Sequence, residues 1–174
     1  LDRHRPAPDE ADLRGWEWRY LWQFCQSDAL STLAVKEDSA IVSLAVSPDG
    51  QWLAAGEEKY GNLTVWNLRT REEIRLPADV ASVRVAFSPT GSLLAFASAG
   101  GKTSDFTSRV RLWNPDTRTI VSEIKLESYC GGLVFSADGK SLFTLVGGNP
   151  SKPAAISRWS VADGRELARH VVTS

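Results

Sequence analysis

Methionine is absent from all 174 residues, and position 1 is Leu. A chain read from its own start codon begins with Met, so the expectation is a piece of a longer polypeptide. Cysteine is nearly absent too. Cys25 and Cys130 lie far apart and form no C-x-x-C pair, which argues for two reduced, buried thiols rather than a disulfide framework or a thiolate metal site. The two histidines, His4 in a charged, Pro-containing leader and His170 near the C-terminus, have no partner in sequence for a catalytic triad or a metal site. No apolar run approaches the ~20 residues that cross a bilayer, and the N-terminus has no signal-peptide apolar core. Excess charge of either sign is also missing. Twenty Lys and Arg stand against 21 Asp and Glu, a net charge of -1 with a pI of about 6.2, which leaves no electrostatic footprint for nucleic acid or anionic lipid.

What is present is an ordinary globular composition, 43% hydrophobic and 24% charged, on a chain long enough to bury a core. Aromatic residues crowd one place. "DLRGWEWRYLWQFC", residues 12 to 25, holds three of the seven tryptophans. Trp16, Trp18, Tyr20, Trp22 and Phe24 fall on every second residue, as on a strand face, while Leu13, Trp16, Tyr20 and Phe24 follow a helical stripe. Asp9 or Asp12 can cap a helix, and Gly15 argues mildly against one. Spacing alone leaves both conformations open.

The rest of the chain repeats itself. "SLAVSPDGQWLAAG" (43–56), "RVAFSPTGSLLAFA" (84–97) and "GLVFSADGKSLFTL" (132–145) each join two alternating apolar runs through a polar Ser- and Gly-containing turn. A Trp-bearing, strand-like segment follows each one: "NLTVWNLRTRE", "RVRLWNPDTRT" and "ISRWSVADGRE". The turn serines at 47, 88 and 136 are 41 and 48 residues apart, and Trp66, Trp113 and Trp159 are 47 and 46 apart. A period in the forties fits one four-stranded propeller blade per repeat. Asp49-Gly50 and Asp138-Gly139 suit tight reversals, with Thr90-Gly91 a weaker substitute.

These S-P-D-G-type turns at 47–50, 88–91 and 136–139, with the W-N or W-S pairs at 66–67, 113–114 and 159–160, resemble the WD-repeat β-propeller family over roughly residues 28 to 174. The resemblance implies an all-β, partial β-propeller of about three four-stranded antiparallel blades, at 39–76, 80–127 and 129–172. An extra strand is expected at 28–35, and a leader with a short aromatic α-helix at 1–27. Trp66, Trp113, Trp159, Gly50, Gly91 and Gly139 are the structural positions of the repeats. Two departures stand out: the third strand ends in Trp-Asn or Trp-Ser instead of Trp-Asp, and no Gly-His precedes the first strands. The buried His–Asp network of better-matching members is therefore expected to be missing. Three blades do not close a ring of the usual 4–8, so the chain is expected to be an open arc with an exposed blade face that invites self-association.

A second resemblance concerns "RPAPDEADLRGWEWRYLWQFC". It is similar to the segment before the propeller in large bacterial WD-repeat proteins, many of which carry a serine/threonine protein kinase domain upstream. That likeness favours a helix for the aromatic stretch, with Leu13, Trp16, Tyr20 and Phe24 docked on the propeller and Trp18 and Trp22 on a second flank. The kinase itself is not legible here: there is no Gly-rich loop, V-A-I-K lysine, H-R-D or D-F-G.

No catalytic constellation emerges. Gly101-Lys102-Thr103 lacks the first glycine of a phosphate-binding loop, that position being Phe96, and strand follows where a helix is needed. Glu57-Glu58 and Glu72-Glu73 read as solvated acidic pairs and not as a glycosidase pair. No Ser stands in a G-x-S-x-G context. The expectation is a non-catalytic protein–protein interaction scaffold from a larger bacterial protein, located in the cytoplasm, with no cofactor and no metal. The alternative is the sensing or substrate-recruiting arm of a serine/threonine kinase. Partners are expected to be other proteins or further blades of the same parent chain, not nucleic acid, and without membrane insertion. Length variation between repeats concentrates in 57–62, 99–108 and 147–155, and such one-sided insertions often mark a binding face. Tyr60, Lys102, Phe106, Arg109 and Lys152 are the expected partner contacts on that rim.

Overall fold

The computed structural model describes residues 15–18, 20, 33, 39–59, 62–77, 83–100, 107–147 and 153–172. The chain divides into two compact units, Leu1–Glu37 and Asp38–Ser174. In the first unit Trp16, Glu17, Trp18 and Tyr20 have helical backbone. The Trp16 and Tyr20 rings, four residues apart, meet edge to face with centroids 6.5 Å apart, the contact that i, i+4 spacing creates on a helix. The flanks of the aromatic stretch, and the expected extra strand apart from Leu33, lie outside the described residues.

The second unit is built from three four-stranded antiparallel sheets. Blade one consists of β1 (Ile41–Val46), β2 (Trp52–Glu57), β3 (Asn62–Asn67) and β4 (Glu73–Pro77) in sequential order. Blade two repeats this with β5 (Arg84–Phe87), β6 (Leu94–Gly100), β7 (Thr107–Asn114) and β8 (Thr119–Leu126). Blade three does so with β9 (Cys130–Phe135), β10 (Ser141–Val146), β11 (Ala155–Ser160) and β12 (Glu166–Val171). The first strands of the blades neighbour one another, β1 against β5 and β5 against β9. This is an all-β partial propeller, with β1, β5 and β9 as its inner strands.

The alternation seen in sequence decides which residues meet between blades. On β6, Leu94 and Phe96 point into a core shared with blade one, where Trp52, Ala54, Leu63 and Val65 pack. Ala95 and Ala97, on the opposite face of the same strand, point into a second core with Leu142, Val146 and Cys130 of blade three. A period of two places alternate residues on opposite faces, so blade two is buried on both sides.

Polar atoms fasten neighbouring blades at fixed points. The Ser43 hydroxyl accepts the Val85 N–H at 3.1 Å, and the Ser108 hydroxyl accepts the Cys130 N–H at 2.9 Å. Between blades one and two, the Val83 N–H donates to the Glu57 carbonyl at 3.0 Å, and Arg118 reaches Glu72 at 2.8 Å. Between blades two and three, Arg84 donates to the Gly131 carbonyl and the Tyr129 hydroxyl, both at 3.2 Å. All but the exposed Arg118–Glu72 pair satisfy polar groups that blade packing takes from water.

Candidate interaction surface

One end of the arc carries the hairpin turns that join first to second strands. In blade one Ser47 Oγ donates to Asp49 Oδ1 and accepts the Trp52 N–H at 2.9 Å. Asp49 Oδ1 also accepts the Gln51 N–H at 3.0 Å. Blade three reproduces the arrangement: Ser136 Oγ donates to Asp138 and accepts the Ser141 N–H at 2.9 Å, while Asp138 accepts the Lys140 N–H at 3.0 Å. Gly50 and Gly139 close these turns at φ +67° and +68°, where a side chain is disfavoured. Blade two differs. Thr90 replaces the Asp, its N–H lies 3.5 Å from Ser88 Oγ, and Gly91 is not among the positive-φ residues. Gly91 was expected to share the turn role of Gly50 and Gly139; it lacks their positive φ, although the middle turn is closed like the other two, by the Ser88 N–H donating to the Leu93 carbonyl at 2.8 Å.

The hydrogen bonds that hold these turns hold carboxylates in their ionised form. Donation from Ser47 to Asp49, and from Ser136 to Asp138, keeps both carboxyls below the usual carboxylate range. Asp163, in the turn after β11, is lowered in the same way by Ser160. A folded-state pKa below the unfolded value of about 3.9 contributes stability above that value and loses it as pH falls through the folded value. The urea midpoint is therefore expected to fall between pH 5 and pH 3. In a variant combining Asp49→Asn, Asp138→Asn and Asp163→Asn, that fall should be markedly shallower. An unchanged acid slope in the triple variant would show that other carboxylates carry the transition.

Asn67 and Asn114, which stand where the family pattern has Asp, also organise turns. Asn67 Oδ1 accepts the N–H groups of Arg69 and Thr70 at 3.0 and 2.9 Å. Asn114 Oδ1 accepts those of Asp116 and Thr117 at 2.8 and 3.2 Å. This is the Asx-turn chemistry open to either residue, and it was legible in sequence once Asn was read locally. The three structural tryptophans differ in turn. Trp113 and Trp66 are buried, while Trp159 is partly exposed and donates from Nε1 to Thr144 Oγ1 at 2.9 Å.

A cavity of about 410 Å³ opens between the first two turns, lined by Ser47, Pro48 and Asp49 on one side and Pro89, Thr90, Gly91 and Ser92 on the other. Ser47 and Asp49 are engaged with each other there, so the cavity gains no reactive pair.

The opposite end carries the loops between second and third strands, beside the linkers between blades. The Lys59 N–H donates to Ser39 Oγ at 3.2 Å, and the Gly147 N–H donates to the Tyr129 carbonyl at 2.8 Å. Of the five expected rim contacts, Tyr60, Lys102, Phe106 and Lys152 lie outside the described residues. Arg109 is on β7, half-exposed, with Nη1 3.8 Å from Glu123. Arg111 reaches the same carboxylate at 2.9 Å from a nearly buried position. The acidic pairs were expected to be solvated. Glu57 is instead buried and accepts from Asn62 Nδ2 at 3.3 Å, whereas Glu58 is exposed. Glu72 with Arg118 and Glu73 with Arg75 at 2.7 Å form surface pairs. Among the described residues no group of three or more His, Cys, Asp or Glu stands close enough to hold a metal ion. Cys130 is buried, and burial pushes its thiol up to about 11, away from the thiolate that nucleophilic chemistry needs.

Comparison with known proteins bears on this geometry. The protein-family model for the WD domain, G-beta repeat, matches residues 28–67. The chain is 31% identical over 119 residues to Protein LST8 homolog of Drosophila melanogaster, a match covering 63% of this chain and 35% of that protein. It is 26% identical over 125 residues to small ribosomal subunit protein RACK1z of Arabidopsis thaliana, covering 60% and 36%. Among solved structures, Kuenenia stuttgartiensis hydrazine synthase superposes with a TM-score of 0.66 at 20% identity, over 80% of this chain and 38% of that one; this likeness concerns the fold alone. The chain thus spans about a third of the length of the relatives it matches. Blade topology and repeat match agree: the chain is a partial all-β propeller that carries a WD repeat and is similar to WD-repeat proteins.

Proposed function

We propose that this chain is an arc of a WD-repeat propeller acting as a non-catalytic protein–protein interaction scaffold within a larger bacterial protein of the cytoplasm. The observation that carries the reading is the contrast between frame and rim. Three blades are fastened to one another by buried side chains and interblade hydrogen bonds, while the segments whose length varies between repeats all join a second strand to a third. A rigid frame presenting variable loops suits recognition of proteins. Similarity to Protein LST8 homolog and to RACK1z supports it. Tyr60, Lys102, Phe106, Arg109 and Lys152 are the contacts this reading assigns. Replacing 99–108 and 147–155 with Gly-Ser loops of equal length is expected to reduce the proteins captured from a bacterial lysate at least tenfold, read by quantitative mass spectrometry. Undiminished capture would place recognition elsewhere.

The kinase-arm reading rests on the aromatic segment at 5–25. The upstream coding sequence tests it: absence of kinase motifs within a few hundred residues would sink the idea.

A further inference from the structure

The turns between first and second strands do not all meet their neighbours in the same way. Between blades two and three the junction is closed. Thr90 Oγ1 donates across it to the Asp138 carbonyl at 3.4 Å, and a Cβ on Gly139 would run into Thr90 Oγ1 and stand 2.9 Å from Ser88 Oγ. Between blades one and two the junction is open. A Cβ on Gly91, the equivalent of Gly139, meets nothing within 4 Å, and the cavity of about 410 Å³ lies there.

Repeat equivalence explains the difference. Alignment on Ser47, Ser88 and Ser136 puts Asp49 where Thr90 stands, and Thr90 where Asp138 stands. The bond that closes the second junction would therefore run, in the first, from the Asp49 side chain to the Thr90 carbonyl. Asp49 is held ionised by the Ser47 hydroxyl, and an ionised carboxylate has no hydrogen to give. It turns back into its own loop instead, where Oδ1 takes the Ser47 hydroxyl and the Gln51 N–H.

The lining is left short of donors. The Ser47 hydroxyl gives its hydrogen to Asp49, and the Thr90 hydroxyl gives its own to Asp138. Asp49 Oδ2 receives no hydrogen bond among the described residues. No Lys or Arg lines the cavity. Its one charge is the Asp49 carboxylate, and Pro48 and Pro89 supply an apolar wall on each side. The matching ligand is cationic, rich in N–H donors and free of acceptors.

We propose that this cavity receives an arginine side chain of a partner protein, with its guanidinium on the free oxygen of Asp49. A guanidinium carries five donors in a fixed plane and can serve acceptors on both walls, whereas a lysine ammonium is a compact point charge. The site lies at the first-to-second-strand turns, apart from the second-to-third-strand loops. That the arginine belongs to a protein rests on the scaffold reading; the preference of the cavity for arginine does not, and a blocked amino acid tests it alone.

Titration of the full 174-residue chain with N-acetyl-arginine amide, followed by ¹H–¹⁵N NMR, provides that test. The Gln51, Gly91 and Ser92 amides are expected to shift with low-millimolar affinity, as suits one ion pair in an open cavity. N-acetyl-citrulline amide, which keeps the shape and loses the charge, should bind at least fivefold more weakly, and N-acetyl-lysine amide at least threefold. Asp49→Asn should weaken arginine binding at least fivefold. Asparagine organises the turns at Asn67 and Asn114, so that substitution removes the charge and keeps the loop. Asp138→Asn makes the same charge change in the equivalent turn of blade three and should leave the affinity within twofold. The citrulline comparison uses the unaltered chain and decides the matter if Asp49→Asn misfolds. Equal affinity for citrulline or lysine, or binding that survives Asp49→Asn, would overturn the proposal. So would an equal loss in Asp138→Asn, or shifts that map away from the cavity.

Discussion

Trp113→Ala is expected to cost about 4 kcal/mol of stability, within the range for deleting a buried Trp side chain. For a chain of this size that is a Tm drop of roughly 8–16 °C. Trp113 is buried at the core between blades one and two. Its ring stands edge to face with Trp52 of the neighbouring blade, centroids 6.5 Å apart at 85°, an arrangement that adds to the burial of both rings. Opposite the ring's strand, the β7–β8 register skips Val121, since Leu112 pairs with Ser122 and Trp113 with Ile120. Leu94, Phe96 and Val85 surround the ring in the same cluster, so truncation leaves a cavity walled from both blades. Trp159 provides the control. It is only partly buried, and its truncation removes less apolar packing together with one hydrogen bond to Thr144. Urea melts should therefore rank Trp113→Ala well below Trp159→Ala in stability. A Trp113→Ala loss under about 1.5 kcal/mol would mean that the blades do not depend on this core.

What could be read from sequence was whatever is settled within a few residues. Strand alternation separates Leu94 and Phe96 from Ala95 and Ala97, and the structure sends those pairs to different cores. The Ser–Asp turns lie within five residues of chain, so Ser47, Asp49 and the Trp52 N–H meet as their spacing suggests. Turns were expected after Trp66 and Trp113, but Asn67 and Asn114 were read as departures from Trp-Asp and not as the residues that organise those turns, although an Asx turn needs no more than their own loops. The fastenings between blades had no such signal. Ser43 and Val85 are 42 residues apart, and any small polar residue facing outward from a strand looks the same before its neighbour is known. The middle turn is a further case: Gly91 looks like Gly50 in the repeat, yet it does not share the positive φ of Gly50, and Thr90 stands where the other two turns have Asp. Of the candidate rim, Arg109 alone falls among the described residues, and its neighbour Glu123 lies on β8, the strand that pairs with β7.

Gly56→Ala is expected to cost about 3 kcal/mol, at the upper end of what an added methyl group costs in a close-packed site. Unlike the turn glycines, Gly56 needs no left-handed φ. Its requirement is space. A Cβ on Gly56 would run into the carbonyl oxygen of Val83 and crowd Val83 C at 2.9 Å and Val83 Cβ at 3.1 Å. Two of those three atoms are backbone, so no rotamer change relieves the clash. Nor can the Val83 segment move away freely, because its N–H donates to the Glu57 carbonyl at 3.0 Å and its side chain is buried in the first interblade core. An Ala at 56 must therefore either stretch that hydrogen bond or shift the entry of blade two against blade one. Gly91→Ala is the matched comparison, since its added Cβ meets nothing within 4 Å, and it should change stability by less than about 0.5 kcal/mol. Hydrogen exchange separates a local effect from a global one. The Val83 and Val85 amides, both bonded across the blade junction, should lose more protection in Gly56→Ala than those of β10 and β11. If protection at Val83 is retained while global stability falls, the clash is relieved within blade one and the close approach is not what requires glycine.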